Sequence, residues 1–462
     1  MSQALGKTKQ QKKVIIVGAG WAGLAAAVEL SDKNYQVQII ESARQVGGRA
    51  RSVPNEPHTL DNGQHILLGA YLHTLTLCRK LQLKDSQLFL RSRLKLRMLS
   101  QKPVGFSLSA PFLPAPLHLL FALLFAHGLS FKDKCSTIWR TKKLLAIKLN
   151  ESNDITVKQL LNKLVMPKSA IEKFLEPLCI AALNTPIETA SARIFINSFR
   201  LAFTGKRRYS DLLIPLKPLS EMLPEPAIAY IKNRGAEVLL GTKVNGIVIK
   251  YDVASGVQID DAAGVLKADH VIIATGHHQA SRLLEPHHEL EPVAKNLERM
   301  TDEPICTVYL RYDISLNIDQ PIQGLLDSTG QWLFDRTICG QEGQISVVIS
   351  AGGPHMKLDN DTLIQTVIDE IVHFYPWLNQ PIERKVIREK RATFHCSPEN
   401  NLLRPGNGMA TEKLWLAGDY TATNLPGTLE GAVLSGRQCA LKIIQYDKIQ
   451  RPRYKRLNEA RQ

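Results

Sequence analysis

Three glycines, in Gly18-Ala19-Gly20-Trp21-Ala22-Gly23, have the spacing that wraps backbone around a pyrophosphate. Gly18 permits the tight turn, Gly20 admits close approach to the anion, and Gly23 lets a helix pack against a strand. The phosphates then meet the helix N-terminus, where unpaired N–H groups and the helix dipole favour negative charge. Glu41, 18 residues beyond Gly23, is positioned to accept ribose hydroxyls, and its charge repels a 2′-phosphate. Arg44 and then Gly47-Gly48-Arg49 follow closely, so a second close backbone approach is flanked by planar cations suited to phosphate. This set of residues holds a dinucleotide.

The elements around these residues fall in the order such a site requires. Residues 14–17 (VIIV) read as a strand buried on both faces, residues 24–30 as an alanine-rich helix, and residues 35–40 as a second strand ending at Glu41. Further on, 237–250 reads as strand pairs and 268–276 (ADHVIIATG) as another buried strand. Residues 414–419 (LWLAGD) form a short strand ahead of a helix from Gly431. Residues 426–432 open that helix, and an N-terminus there would stabilise negative charge on a reduced flavin. Pieces of one nucleotide-binding domain are thus spread over 1–95, 215–289 and 393–462, and the stretches 96–214 and 290–392 form a second domain.

Composition narrows the class. The 462 residues, 44% hydrophobic and 22% charged, exclude a disordered or fibrous chain and suffice for a large core. Seven cysteines without a C-x-x-C pair or a Cys/His ladder argue against structural zinc or a disulfide framework, so no metal is expected. The polar, basic start carries no apolar core for export, and with free thiols this points to the cytoplasm. The 58 Lys and Arg exceed the 43 Asp and Glu by 15. The basic residues gather in the first thirteen residues and at 91–97, 132–143, 206–208 and 451–456, with no nucleic-acid-binding signature beside them. Solvated surface charge and an anionic membrane surface are the two uses left.

GAGWAGLAAA with Glu41 and GGR, joined to LAGDYTATNLPGTLEGAVLSG, resembles the flavin-containing amine oxidase and phytoene desaturase superfamily. The likeness covers both ends of the chain. It implies an α/β fold: a discontinuous Rossmann-like domain binding FAD non-covalently, with an inserted α+β substrate domain. It also implies that Gly418 and Asp419 serve the ribityl–pyrophosphate region, Gly431 and Ala432 the pyrimidine edge of the ring, and Val244 the adenine side. A narrower likeness lies in Asp61-Asn62-Gly63-Gln64-His65 with LGAY, and in CIAALNTP, DLLIP and KRATF. These resemble the hydroxysqualene dehydroxylase branch, whose members reduce hydroxysqualene to squalene on the way to hopanoids. That likeness puts Gly63 and Gln64 at a flavin-facing turn. Carotene desaturases space the C-terminal flavin helix differently and run longer.

An allylic alcohol loses its oxygen as water, so a general acid is expected near the hydroxyl. Asp211, in SDLLIP, and His65, in NGQH, are the candidates. His277 and His278, after the ATG strand end, read as surface residues, and Arg391 as structural. A carotenoid desaturase, running the flavin oxidatively, is the first alternative, and a non-catalytic flavin-binding scaffold of an isoprenoid complex the second. An amine oxidase is less favoured, since no aromatic cage or flavin-facing lysine is readable.

No charged residue lies between Lys102 and Lys132. Prolines break the first half of 103–131, leaving 117–129 as its helical part, too short for the about 20 residues of a membrane span. Flanked by Lys and Arg, it is expected to contact a membrane or line a channel. Burial is worth about 0.8 kcal/mol per methylene, so a long-chain isoprenoid resists passing through water by well over ~10 kcal/mol. The expected enzyme is therefore peripheral on the inner face of the cell membrane. Its expected partners are that surface, an electron donor and neighbouring squalene-pathway enzymes.

Overall fold

The computed structural model describes residues 11–55, 59–102, 104–260 and 264–459. The basic first ten residues lie outside it. At its centre is a five-stranded parallel sheet in the order Glu237–Leu240, Gln36–Glu41, Lys13–Val17, His270–Ile273, Leu414–Leu416. A strand buried on both faces needs cover on both sides, and the alternation of Lys13–Val17 supplies it. Val14 and Ile16 pack with helix Trp21–Ser31, while Ile15 and Val17 join a cluster with Ile247 and Val257. The alanine-rich helix lets Leu429–Glu459 approach so closely that a Cβ on Gly436 would lie 2.0 Å from the Ala22 carbonyl oxygen.

Residues 237–250 do not pair with one another as the sequence suggests. Glu237–Leu240 extends the parallel sheet beside Gln36–Glu41, and Val244–Lys250 pairs instead with Val253–Ile259. Gly241, with φ +67°, turns the chain between them, and the Thr242 N–H donates to the Glu41 carbonyl at 3.0 Å.

A second sheet of seven strands runs Glu383–Phe394, Asp302–Arg311, Gln344–Ser350, Trp332–Asp335, Ile322–Leu326, Lys95–Ser100, Phe106–Ser109. Cys306, Val308 and Leu310 point to one face, where they pack with Leu363, Val367 and Ile371 of helix Asn360–Phe374. Ile305 and Thr307 point to the other. The strand Leu212–Pro215 lies between Leu67–Leu68 and Phe89–Ser92 in a three-stranded sheet. The division expected at 214/215 falls inside this strand.

Helix Leu117–Leu124 is shorter than the expected 117–129. His127 exchanges both backbone hydrogen bonds with Ser107, and Gly128, with φ +90°, turns the chain against Gly105. Phe121 and Phe125 stack at 6.4 Å, and Phe112, Phe125 and Phe131 are 77%, 68% and 74% exposed. Among the described residues no helix is long and apolar enough to cross a membrane.

Candidate active site

One cavity of about 820 Å³ joins the carboxyl ends of the parallel strands to the free face of the seven-stranded sheet. Gly18 and Gly20 line it at the end of Lys13–Val17, the switch point where open α/β sheets bind ligands. Gly18 holds φ +108°, a conformation that favours glycine. Gly20 caps helix Trp21–Ser31 with no side-chain hydrogen bond, so the first N–H groups of that helix keep no side-chain partner. Across from it, a Cβ on Gly48 would lie 3.2 Å from the Gly20 Cα. Glu41 Oε2 accepts from the Ala19 N–H at 2.7 Å and Oε1 from the Ala43 N–H at 2.8 Å, which fixes the carboxylate at the cavity edge beside Val244.

Two predicted residues at this end lie elsewhere. Gly23 does not line the cavity: a Cβ there would sit 2.1 Å from the Gly18 carbonyl oxygen, so it serves helix–strand packing. Arg44 is exposed and also absent from the lining, because its loop faces outward beside Gly241. Arg51 lines the cavity instead, with its guanidinium on the Gly48 carbonyl.

At the opposite end Gly418, Asp419, Gly427 and Ala432 line the wall. Arg49 bridges both ends: it pairs with Asp419 at 2.6 Å and donates to the Ala392 carbonyl at 2.9 Å. The Asp419 carboxylate holds the Arg49 guanidinium above its ordinary pKa, so it stays charged. Gly431 lies behind the wall, its N–H donating to Thr428 Oγ1 at 3.2 Å. Buried Arg404, unmarked in the sequence, shapes this wall by donating to the Asp419 carbonyl at 3.1 Å and to the Tyr420 carbonyl at 3.3 Å. Burial pulls its pKa down to about 10.

Between the two ends, Gly63, Gln64 and His65 form a turn on the cavity wall. Asn62 Nδ2 donates to the Arg49 carbonyl at 2.9 Å and to Glu389 at 3.0 Å, and buried Arg336 donates to Gln64 Oε1. His65 Nδ1 lies 3.0 Å from the Gly63 carbonyl. A carbonyl only accepts, so Nδ1 carries the proton and Nε2 is the nitrogen left for a ligand. Burial pushes the imidazole below the ordinary histidine range. Beyond the turn the lining becomes apolar, with Leu96, Leu178, Ile322, Trp332, Phe334 and Ile387.

Asp211 stands apart. It does not line the cavity; its carboxylate, 2% exposed, is held between Arg91 at 3.3 Å and Arg207 at 3.2 Å. Both carboxylate oxygens are engaged by guanidiniums away from the cavity, so Asp211 is not placed to reach a hydroxyl bound there, and the expected acid role does not fit its position. His277 and His278, expected at the surface, both line the cavity, and His277 is buried. Their Nε2 atoms meet the two oxygens of Asp302 at 2.8 and 2.7 Å. Arg391, expected to be structural, also lines the cavity.

A family model described as flavin containing amine oxidoreductase matches residues 21–444. The chain belongs to this family. Hydroxysqualene dehydroxylase of Sinorhizobium fredii is 28% identical over 436 residues, covering 93% of this chain and 97% of that one. Zeta-carotene desaturase of Solanum lycopersicum is 25% identical over 494 residues, covering 93% of this chain and 80% of that protein. Among solved structures, cyclohexylamine oxidase of Brevibacterium oxydans superposes with a TM-score of 0.70 at 19% identity, covering 95% and 100% of the two chains. The flavin amine oxidoreductase is thus an FAD-dependent enzyme of the discontinuous α/β type. The Gly20–Gly48 cradle, the uncapped helix end and Glu41 fit the pyrophosphate and ribose of FAD.

Proposed function

We propose that this flavoenzyme reduces hydroxysqualene to squalene, replacing an allylic hydroxyl by hydrogen. One observation carries the reading: the glycine-lined cleft runs into an apolar chamber, in a chain 28% identical over 436 residues to a hydroxysqualene dehydroxylase. The reaction takes up one proton and one hydride equivalent and releases water. Bound FAD, once reduced by an electron donor, supplies the hydride equivalent. Gly18, Gly20, Gly48, Glu41 and Val244 would hold the adenosine and pyrophosphate portion, Arg49, Gly418 and Asp419 the ribityl–pyrophosphate region, and Ala432 would flank the pyrimidine edge of the ring. The aliphatic floor takes the isoprenoid and keeps water out.

The leaving hydroxyl needs a proton as the C–O bond breaks. His65 is the donor in this reading. Its Nδ1 proton is committed to the Gly63 carbonyl, so the imidazolium donates from Nε2. Burial disfavours the imidazolium, which makes it scarcer and a stronger acid. The test is anaerobic: reduced holoenzyme mixed with hydroxysqualene yields squalene and reoxidised flavin. Yellow enzyme that leaves the alcohol unchanged ends this reading.

The same histidine favours a second reading. A neutral His65 presents an unprotonated Nε2 to the cavity, suited to accept a proton in a carotenoid-type desaturation. Turnover of phytoene by oxidised enzyme would select it.

The enzyme acts at an anionic membrane surface. Supporting this, exposed Phe112, Phe125 and Phe131 lie on one stretch of chain with exposed Lys132, Lys142 and Lys143. An electron donor and neighbouring isoprenoid enzymes complete its partners.

A further inference from the structure

Among the described residues that line the cavity, Thr307 alone carries a buried side-chain polar atom without a hydrogen-bond partner. It lies on strand Asp302–Arg311 and is 1% exposed. Its cross-strand neighbours are Val348 and Ile387, both aliphatic and both on the chamber wall. Strand alternation turns Cys306 and Val308 toward helix Asn360–Phe374 and Thr307 toward the chamber. Gly63 faces it: a Cβ built there would lie 3.9 Å from Thr307 Oγ1. Valine would fill the same space, suit a strand equally well and leave no hydroxyl unpaired among aliphatic groups. A hydroxyl kept there without a protein partner is suited to a ligand.

We infer that Thr307 Oγ1 recognises the hydroxyl of the substrate and so selects the alcohol over the parent hydrocarbon. The inference rests on the dehydroxylation reading. Gly63 gives it a place: the glycine faces Thr307, and its carbonyl holds His65 Nδ1 at 3.0 Å. An oxygen bound at Thr307 therefore lies beside the turn that carries the proton donor. Because a hydroxyl both donates and accepts, Thr307 can hold the carbinol oxygen before protonation and the departing water after it. A polar atom of the cofactor has the same hydrogen-bonding chemistry, and the experiment separates the two.

Binding of hydroxysqualene and of squalene to the oxidised holoenzyme is read from perturbation of the flavin spectrum. The wild type is expected to bind the alcohol about tenfold more tightly than the hydrocarbon, the worth of one neutral hydrogen bond. Thr307→Val should bring that ratio close to one and leave FAD affinity and the ligand-free spectrum unchanged, and Thr307→Ser should restore the preference. A wild type without the preference, or a Thr307→Val enzyme that keeps it, overturns the inference. So does a Thr307→Val enzyme whose FAD affinity or ligand-free spectrum shifts, since Thr307 would then serve the cofactor. Turnover is scored separately: enzyme that prefers the alcohol yet makes no squalene ends the reaction reading and leaves the Thr307 contact standing.

Discussion

Arg49 and Asp419, 370 residues apart in the chain, form an ion pair of 2.6 Å across the mouth of the cofactor cleft. The pair joins the loop after the second parallel strand to the loop after the last one. Arg49→Met leaves the buried Asp419 carboxylate without its cation. The expected result is at least a tenfold rise in the dissociation constant for FAD and a loss of about 1–3 kcal/mol in the stability of the apoprotein. Equilibrium dialysis and thermal melts measure the two effects.

Gly23 tests the packing of the fingerprint rather than its contact with ligand. A Cβ 2.1 Å from the Gly18 carbonyl forces helix and strand apart. Gly23→Ala should cost about 3 kcal/mol and yield protein with substoichiometric flavin. A variant with wild-type melting temperature and full yellow colour would remove this account.

The pH profile separates the two directions of catalysis. Burial lowers the His65 pKa, so the imidazolium is lost as pH rises through that lowered value. If His65 donates a proton, kcat/KM for dehydroxylation falls about tenfold per pH unit above it. If His65 accepts a proton, as in desaturation, the limb runs the other way and activity rises to a plateau. His65→Gln should flatten either limb while FAD stays bound.

Asp211→Asn probes an ion-pair anchor. Arg91 at 3.3 Å and Arg207 at 3.2 Å lose their common anion, at a cost of about 3 kcal/mol. Turnover per bound flavin should be unchanged. A variant of normal stability that fails to protonate the alcohol would restore Asp211 to the chemistry.

Phe112, Phe125 and Phe131 changed together to Ser should weaken binding to anionic vesicles at least tenfold, since each exposed ring is worth about 1.5–3 kcal/mol on insertion. Turnover of detergent-dispersed substrate should not change. Equal vesicle binding by variant and wild type would discard the docking surface.

The parts of the site that chain connectivity keeps together were legible. Residues 13–41 form one strand–turn–helix–strand unit, so Gly18, Gly20 and Glu41 could be placed from spacing alone. Arg44 was misplaced because GGR and its neighbours name a loop without telling which side chain turns inward; Arg51 does. Asp211 was misread because one of its arginines, Arg91, arrives from a strand 120 residues away, while the other, Arg207, lies four residues before it with nothing in SDLLIP to mark the pairing. Thr307 was invisible: its neighbours Val348 and Ile387 arrive from strands 41 and 80 residues away, and a lone Thr in a strand has no motif. The seven-stranded sheet joins local hairpins, such as Lys95–Ser100 with Phe106–Ser109, through long-range pairings of Asp302–Arg311 with Glu383–Phe394 and of Ile322–Leu326 with Lys95–Ser100. Periodicity within one strand carries no record of such distant neighbours.

The parallel sheet has a consequence for how the enzyme is made. Leu414–Leu416 and the wall at Gly427 to Ala432 are synthesised after the other parts of the cleft, yet they close the cleft that Gly18 and Gly20 open. A ribosome-bound chain halted before residue 414 has no completed pocket, however well its earlier segments have collapsed. Colour is therefore acquired only once that segment has been made, and a nascent polypeptide stalled short of it should remain unpigmented in the presence of excess vitamin-derived coenzyme.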